Sequence, residues 1–321
     1  MPEHAALGGR AGRVVRRLWL GLQWLLGLLV LYFVATSLAA NWGQIRDSQA
    51  RIHLDVGLLA AAAAMVLASY AVMVSAWRAV LTGWRSRNQL RYAPAARVWC
   101  LSNLARYVPG KVSQIGGMAA LARRAGVSPW AAVGSSITVQ LVTVATGALI
   151  TGLAAPEWKA HPWAVAACGI VAGATAIGLA WRRATNLLAR WMSAMSGRPL
   201  ALAPVGKGAL ALSGVVTALA WVAQGVALYL CAVGLIGSTR LGIWSAVGIF
   251  TGGSLAGQLA VFTPGGLGVR EGVLAVWLTP LMGPRRALIV LVGSRLMLTL
   301  TDLLAAAITF PLRTHSGDAR D

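Results

Sequence analysis

Six stretches of this chain are long and apolar enough to cross a bilayer, and that limits the fold more than any other feature. They are residues 18–40, 54–81, 129–155, 162–181, 208–237 and 286–311. A spanning helix needs about 20 mostly apolar residues. Hydrophobic residues make up 58% of the chain and charged residues only 11%, against about 25% charged in a soluble domain. The expected fold is therefore all-α, a polytopic bundle of membrane helices. Residues 1–17 read as a basic N-terminus, 18–312 as a single transmembrane domain and 313–321 as a short polar tail. The apolar run at 18–40 follows Arg10, Arg13, Arg16 and Arg17. It exceeds a signal-peptide core of about 7–15 residues, so we read it as a retained first helix.

The formal charge is +20. A basic soluble module would suggest nucleic acid. Here the arginines sit between apolar runs, as in cytoplasmic loops of membrane proteins, so no nucleic-acid partner is expected. Trp19, Trp42, Trp84, Tyr92, Trp158 and Trp163 near the run ends read as interfacial anchors. Cys100, Cys168 and Cys231 are isolated in sequence, and the four histidines are scattered. Neither a disulfide framework nor a metal site is indicated, and no cofactor is expected. With only eight acidic residues and no nucleophile–base constellation in the apolar runs, an enzyme is not expected.

Two regions break the pattern. Residues 92–127 are too polar to cross as one helix and are interrupted at Pro109–Gly110. Residues 241–283 share this layout and are interrupted at Pro264–Gly265. The two align without a gap at an offset of 155 (264 − 109), which also matches Leu104 with Leu259, Gly117 with Gly272, Pro129 with Pro284 and Thr146 with Thr301. We read an internal repeat, the first copy about 54–155 and the second about 208–311, each with a broken helical hairpin. Basic loops at 82–128 and 182–207 place the N-terminus in the cytoplasm. If both broken segments are re-entrant, the copies are inverted and the C-terminus is cytoplasmic. If 243–262 crosses fully, the copies are parallel and the C-terminus lies outside. Charge counting does not separate these; the Gly-rich 252–257 and the short run 269–282 favour the inverted arrangement, which we take as the expectation.

A broken backbone inside a membrane is tolerated only where protein or water satisfies its N–H and C=O groups. Each Pro-Gly step also opens a helix, whose N-terminus suits an anion. Arg106, Lys111 and Arg270 lie close by in sequence. Arg295 and Asp302 stand seven apart on one face of the last helix, and Glu271 opens the second half-helix. A charge in this setting faces a cavity or a partner. The plain alternative is structural pairing, Arg295 with Glu271 or Asp302, and Arg78 reaching for the interface. "GGLG" lacks the context of a dinucleotide loop, and "PGKV" is not a P-loop.

The blocks "RYVPGKVSQIGGMAALARRAGVSPWAA" (106–132) and "TPGGLGVREGVLAVWL" (263–278) resemble the lysylphosphatidylglycerol synthase transmembrane-region family, also described as flippase-like membrane proteins. The resemblance runs over about 15–311. In its best-known members, the bacterial multiple peptide resistance factors, a flippase half moves aminoacylated phosphatidylglycerol and a separate synthase half makes it. It implies a lipid translocase of the bacterial cytoplasmic membrane, for a phospholipid or a polyprenyl-phosphate-linked lipid. The alternative it leaves is a scaffold for a cytoplasmic lipid-modifying enzyme or glycosyltransferase. By resemblance, Tyr107, Pro109, Gly110 and Lys111 match the first block; Pro264, Gly265, Gly266, Gly268, Arg270 and Glu271 match the second; Arg295 matches a basic position in the last helix. Arg106 joins these as a substrate contact, and Glu271 and Asp302 are the candidates for ion coupling. The family often carries an acid where Gln140 stands and a base near Met118, which points to a different lipid here. The synthase activity is not carried over.

Overall fold

The structure is a computed structural model. It describes residues 53–83, 90–104, 111–154, 162–180, 206–237, 239–260 and 268–312, together with 190 and 266. The described residues form nine helices and no strand: α1 (Val56–Gly83), α2 (Tyr92–Leu104), α3 (Lys111–Arg124), α4 (Pro129–Ala154), α5 (Pro162–Ala180), α6 (Lys207–Ile236), α7 (Ile243–Leu259), α8 (Val269–Met282) and α9 (Pro284–Thr309). Four of them, α1, α4, α6 and α9, are long and apolar enough to cross a membrane, and they fall on four of the expected runs. α5 falls on a fifth run, with a shorter apolar stretch at Val165–Thr175. The run 18–40, and with it a six-helix count, lies outside the described residues.

Helix ends follow local chemistry. The Asp55 carboxylate accepts the Leu58 N–H at 3.0 Å and caps α1. Pro129 and Pro284 open α4 and α9, where a missing N–H costs nothing. The outer faces stay apolar: Leu149, Leu153, Leu219, Val276, Leu300 and Ile308 are all exposed. Helices apolar on every side belong in a protein core or in lipid.

α1 and α6 form an antiparallel pair. The Asp55 N–H donates to the Gly234 carbonyl at 2.9 Å, so the start of α1 meets the end of α6. Halfway along, Gln224 Nε2 donates to Ser69 Oγ at 2.9 Å, and these two residues are 155 apart. α4 and α9 each have 26 residues, and both their ends are offset by 155 (284 − 129 and 309 − 154).

α7 and α8 fold back on each other. Gly252 faces Trp277, Gly253 faces Leu274, and Gly257 faces Arg270. On its other sides α7 packs antiparallel to α6, with Gly225 against Val247 and Trp221 against Phe250. Gly225 permits this because any Cβ there would collide with the Val247 backbone. α7 also runs antiparallel to α4, with Gln140 at Gln258, Gly147 at Leu255 and Thr151 at Gly252. The second hairpin is thus wedged among α4, α6 and α9. One apolar core, including Leu228, Ile249, Phe250, Leu274, Leu278 and Val290, joins these elements. A second, including Trp77, Val98 and Ala132, joins α1 through α4.

Candidate functional site

The site is built at the bend between α7 and α8. Gly266 (φ 71°) and Gly268 (φ 85°) both adopt left-handed backbone, which glycine enters without the Cβ penalty. Gly266 lies against the backbone of Gly257, and a Cβ on Gly266 would stand 2.8 Å from the Gly257 Cα. Gly257 and Gly266 therefore meet backbone to backbone.

Glu271, in the first turn of α8, holds the bend. One carboxylate oxygen, Oε2, accepts the Gly268 N–H at 2.8 Å, an N-terminal cap. The other, Oε1, accepts from two arginines: Arg270 Nη1 at 3.4 Å and Arg295 Nη1, on α9, at 3.3 Å. Of the two structural partners open to Arg295 by spacing, the structure selects Glu271. Side-chain exposure is 6% for Arg270, 11% for Glu271 and 22% for Arg295, so little water screens the trio. Two cations share one carboxylate, leaving a local excess of one positive charge.

Arg270 is the residue of the trio in greatest need of a partner. Its guanidinium stands over the Phe250 ring at 5.2 Å, a cation–π contact. Its Nη2 is buried and meets no hydrogen-bond partner among the described residues. Leaving a buried donor of a charged group unsatisfied costs at least about 1–3 kcal/mol.

The remaining residues expected at the site fall as follows. Asp302 is buried two turns beyond Arg295 on α9 and within electrostatic reach of Cys100 on α2. Lys111 opens α3, its side chain outside the described residues. Arg106, Tyr107, Pro109, Gly110, Pro264 and Gly265 also lie outside them. Arg78 takes a structural place: its Nε donates to the Leu90 carbonyl at 3.0 Å and its guanidinium lies 5.7 Å from the Tyr92 ring centre. Met118 packs with Ser102, whose Oγ lies 3.8 Å from the sulfur.

Two features were not singled out from the sequence as parts of the site. Phe250 carries no mark in an apolar run. Gln258 does leave a signal. It aligns with Asn103 (258 − 103 = 155), so an amide stands just before the break in both copies. Gln140 Nε2 donates to Gln258 Oε1 at 2.6 Å.

A profile of one protein family, the lysylphosphatidylglycerol synthase TM region, matches residues 18–306. The chain belongs to that family. It is a helical integral membrane protein, and the family assignment expected from its two Pro-Gly blocks holds. No curated protein matches the chain. Within this family member, the arginine–glutamate trio occupies the second of those blocks together with the last helix, so the matched region contains the whole described site.

Proposed function

We propose that this protein is a lipid translocase that passes an anionic headgroup across the bacterial cytoplasmic membrane through a chamber at the α7–α8 bend. The observation that carries the reading is Arg270: a buried guanidinium with a spare donor, sharing one carboxylate with Arg295. That group is poised to take a phosphate, whose oxygens match a guanidinium's fork of donors. The first turn of α8 adds its helix-end charge.

The geometry supports the transport half of the proposal. A hydrocarbon core is about 30 Å thick, and at 1.5 Å per residue the 17 residues of α7 and 14 of α8 reach only about 26 and 21 Å. A hairpin of two such helices suits a re-entrant segment whose tip stops within the membrane. α1 and α6 are related by the 155-residue offset and run antiparallel, as inverted repeats require. In this reading the ends of α1, α3 and α9 and the start of α6 share one side, with Arg91, Arg123, Arg124 and Lys207. Arg240, Arg285 and Arg286 mark the other. The first side, with its basic loops, is assigned to the cytoplasm, and the C-terminus goes with it. Rocking of one repeat against the other would then expose the bend alternately, with Glu271 and Asp302 as the candidates for coupling to an ion.

The test is flipping of fluorescent anionic lipids by purified protein in liposomes. We expect Arg270→Gln and Arg295→Gln each to slow flipping at least tenfold. Equal rates in all three proteins would remove the arginines from the site.

A further inference from the structure

We infer that Arg97 is a clasp between the two repeats, and that the α2–α9 contact it closes is the cytoplasmic gate of the headgroup path. The gate rests on the translocase reading; the clasp does not. α9 ends at Thr309, and Pro311 cannot continue it. Its last carbonyls have no intrahelical donors and carry a partial negative charge. Arg97, in the second turn of α2, reaches this end from the other repeat. Its Nη1 donates to the Leu312 carbonyl at 2.8 Å, and its guanidinium lies 5.4 Å from the Phe310 ring centre. The side chain is half-buried, and its Nε is buried with no partner among the described residues. Closure therefore leaves one donor of a charged group uncompensated, and the contact is poised for release.

α2 meets α9 in the register in which α7 meets α4. Cys100 lies within electrostatic reach of Asp302, and the residues at the 155 offset, Leu255 and Gly147, also lie together. The two contacts are held differently. Between α4 and α7 the fit is glycine-tight: a Cβ on Gly147 would stand 2.9 Å from the Leu255 side chain, and one on Gly252 would stand 2.9 Å from Thr151. Helices seated that closely cannot slide without collision. Between α2 and α9 the aligned residues are Asp302 in place of Gly147 and Arg97 in place of Gly252 (302 − 147 and 252 − 97 are both 155). Charged side chains stand where the counterpart has glycines. One contact is locked by shape; the other is closed at its end by a hydrogen bond and a ring contact, for which water can substitute. When the repeats rock, α2–α9 is the contact that parts. In the arrangement proposed above, the end of α9 faces the cytoplasm, so parting opens the path to that side.

The full chain carries its own probe, because Cys100 is buried in this contact. Maleimide labelling of each thiol is followed by mass spectrometry on protein in liposomes. In Arg97→Gln, Cys100 should label about tenfold faster than in wild type, as the loss of one charge-assisted hydrogen bond allows. Cys231, buried in α6, should not change. Nor should the thiol introduced by Leu255→Cys, at the equivalent point of the locked contact. Arg97→Lys keeps a cation at the helix end and should stay within about twofold of wild type. An unchanged Cys100 rate in Arg97→Gln, or an equal rise at all three thiols, would overturn the clasp. The gate is tested in the double variant Arg97→Cys/Phe310→Cys, bridged by a short bis-methanethiosulfonate reagent. Bridging should stop lipid flipping and reduction should restore it; flipping that continues through the bridge would overturn the gate. A wild type that flips no lipid would overturn the translocase reading, and the gate with it, while the labelling still decides the clasp.

Discussion

Removing the charge of Glu271 while keeping its shape should cost this protein several kcal/mol. In Glu271→Gln the amide oxygen can still accept the Gly268 N–H, so the cap at the bend survives. What is lost is the negative charge between two guanidiniums, at 3.4 Å from Arg270 and 3.3 Å from Arg295. At an effective dielectric of about 20, a unit pair at that distance is worth about 5 kcal/mol, and desolvation offsets part of each contact. Breaking a buried pair by removing one partner typically costs about 3–5 kcal/mol, because the surviving charge is left uncompensated. Here two cations survive, so we expect the upper half of that range. The measurement is chemical unfolding of the purified protein in detergent, compared with Glu271→Ala, which also loses the cap and should fall about 1 kcal/mol lower. The double variant Glu271→Gln/Arg295→Gln should recover part of the loss, since one of the stranded charges is gone. A Glu271→Gln midpoint within about 0.5 kcal/mol of wild type, the range of an inert surface change, would refute the argument that the trio is electrostatically bound.

Three further substitutions test the packing that positions the site. Gly225→Leu should separate α6 from α7, because even a Cβ collides with the Val247 backbone; the loss should exceed the 1–3 kcal/mol of ordinary overpacking and show as failure to give a monodisperse gel-filtration peak. Ser69→Ala and Gln224→Leu each remove the bond at the centre of the α1–α6 pair; a double-mutant cycle should return a coupling near 0.6 kcal/mol, typical for helices in a membrane.

Much of the fold was legible in the sequence where one residue carries one physical demand. Pro129 opens both the expected run 129–155 and α4, since a proline's missing N–H is harmless at a helix start; the last run was read from 286, and α9 starts two residues earlier, at Pro284. The alternation of apolar runs and arginines located α1, α4, α6 and α9, since length and hydropathy alone decide what can cross. The direction of α6 against α1 followed from the two basic loops at 82–128 and 182–207, and the Asp55–Gly234 and Ser69–Gln224 bonds agree with it; charge counting left open only whether 243–262 crosses fully, and with it the direction of the last helix. The site was legible in part. Glycines and charges in an apolar region pointed to Arg270, Glu271 and Arg295. Spacing could not choose between Glu271 and Asp302 as partner for Arg295, because that choice depends on how α8 packs against α9. Phe250 was invisible for the opposite reason: an aromatic ring in an apolar run looks the same whether it fills a core or faces a cation.

Headgroup passage depends most on whether the α7–α8 bend meets water at mid-membrane. A cysteine placed at Val269, exposed at the start of α8, can be probed with a membrane-impermeant maleimide in liposomes. One at Leu300, exposed on the apolar surface of α9, serves as the lipid-facing reference. The native cysteines Cys100, Cys168 and Cys231 are all buried. We predict rapid labelling at 269, slowed by added anionic lipid, and none at 300. Equal inertness at both positions would mean the bend lies dry in the bilayer, and no headgroup could reach Arg270.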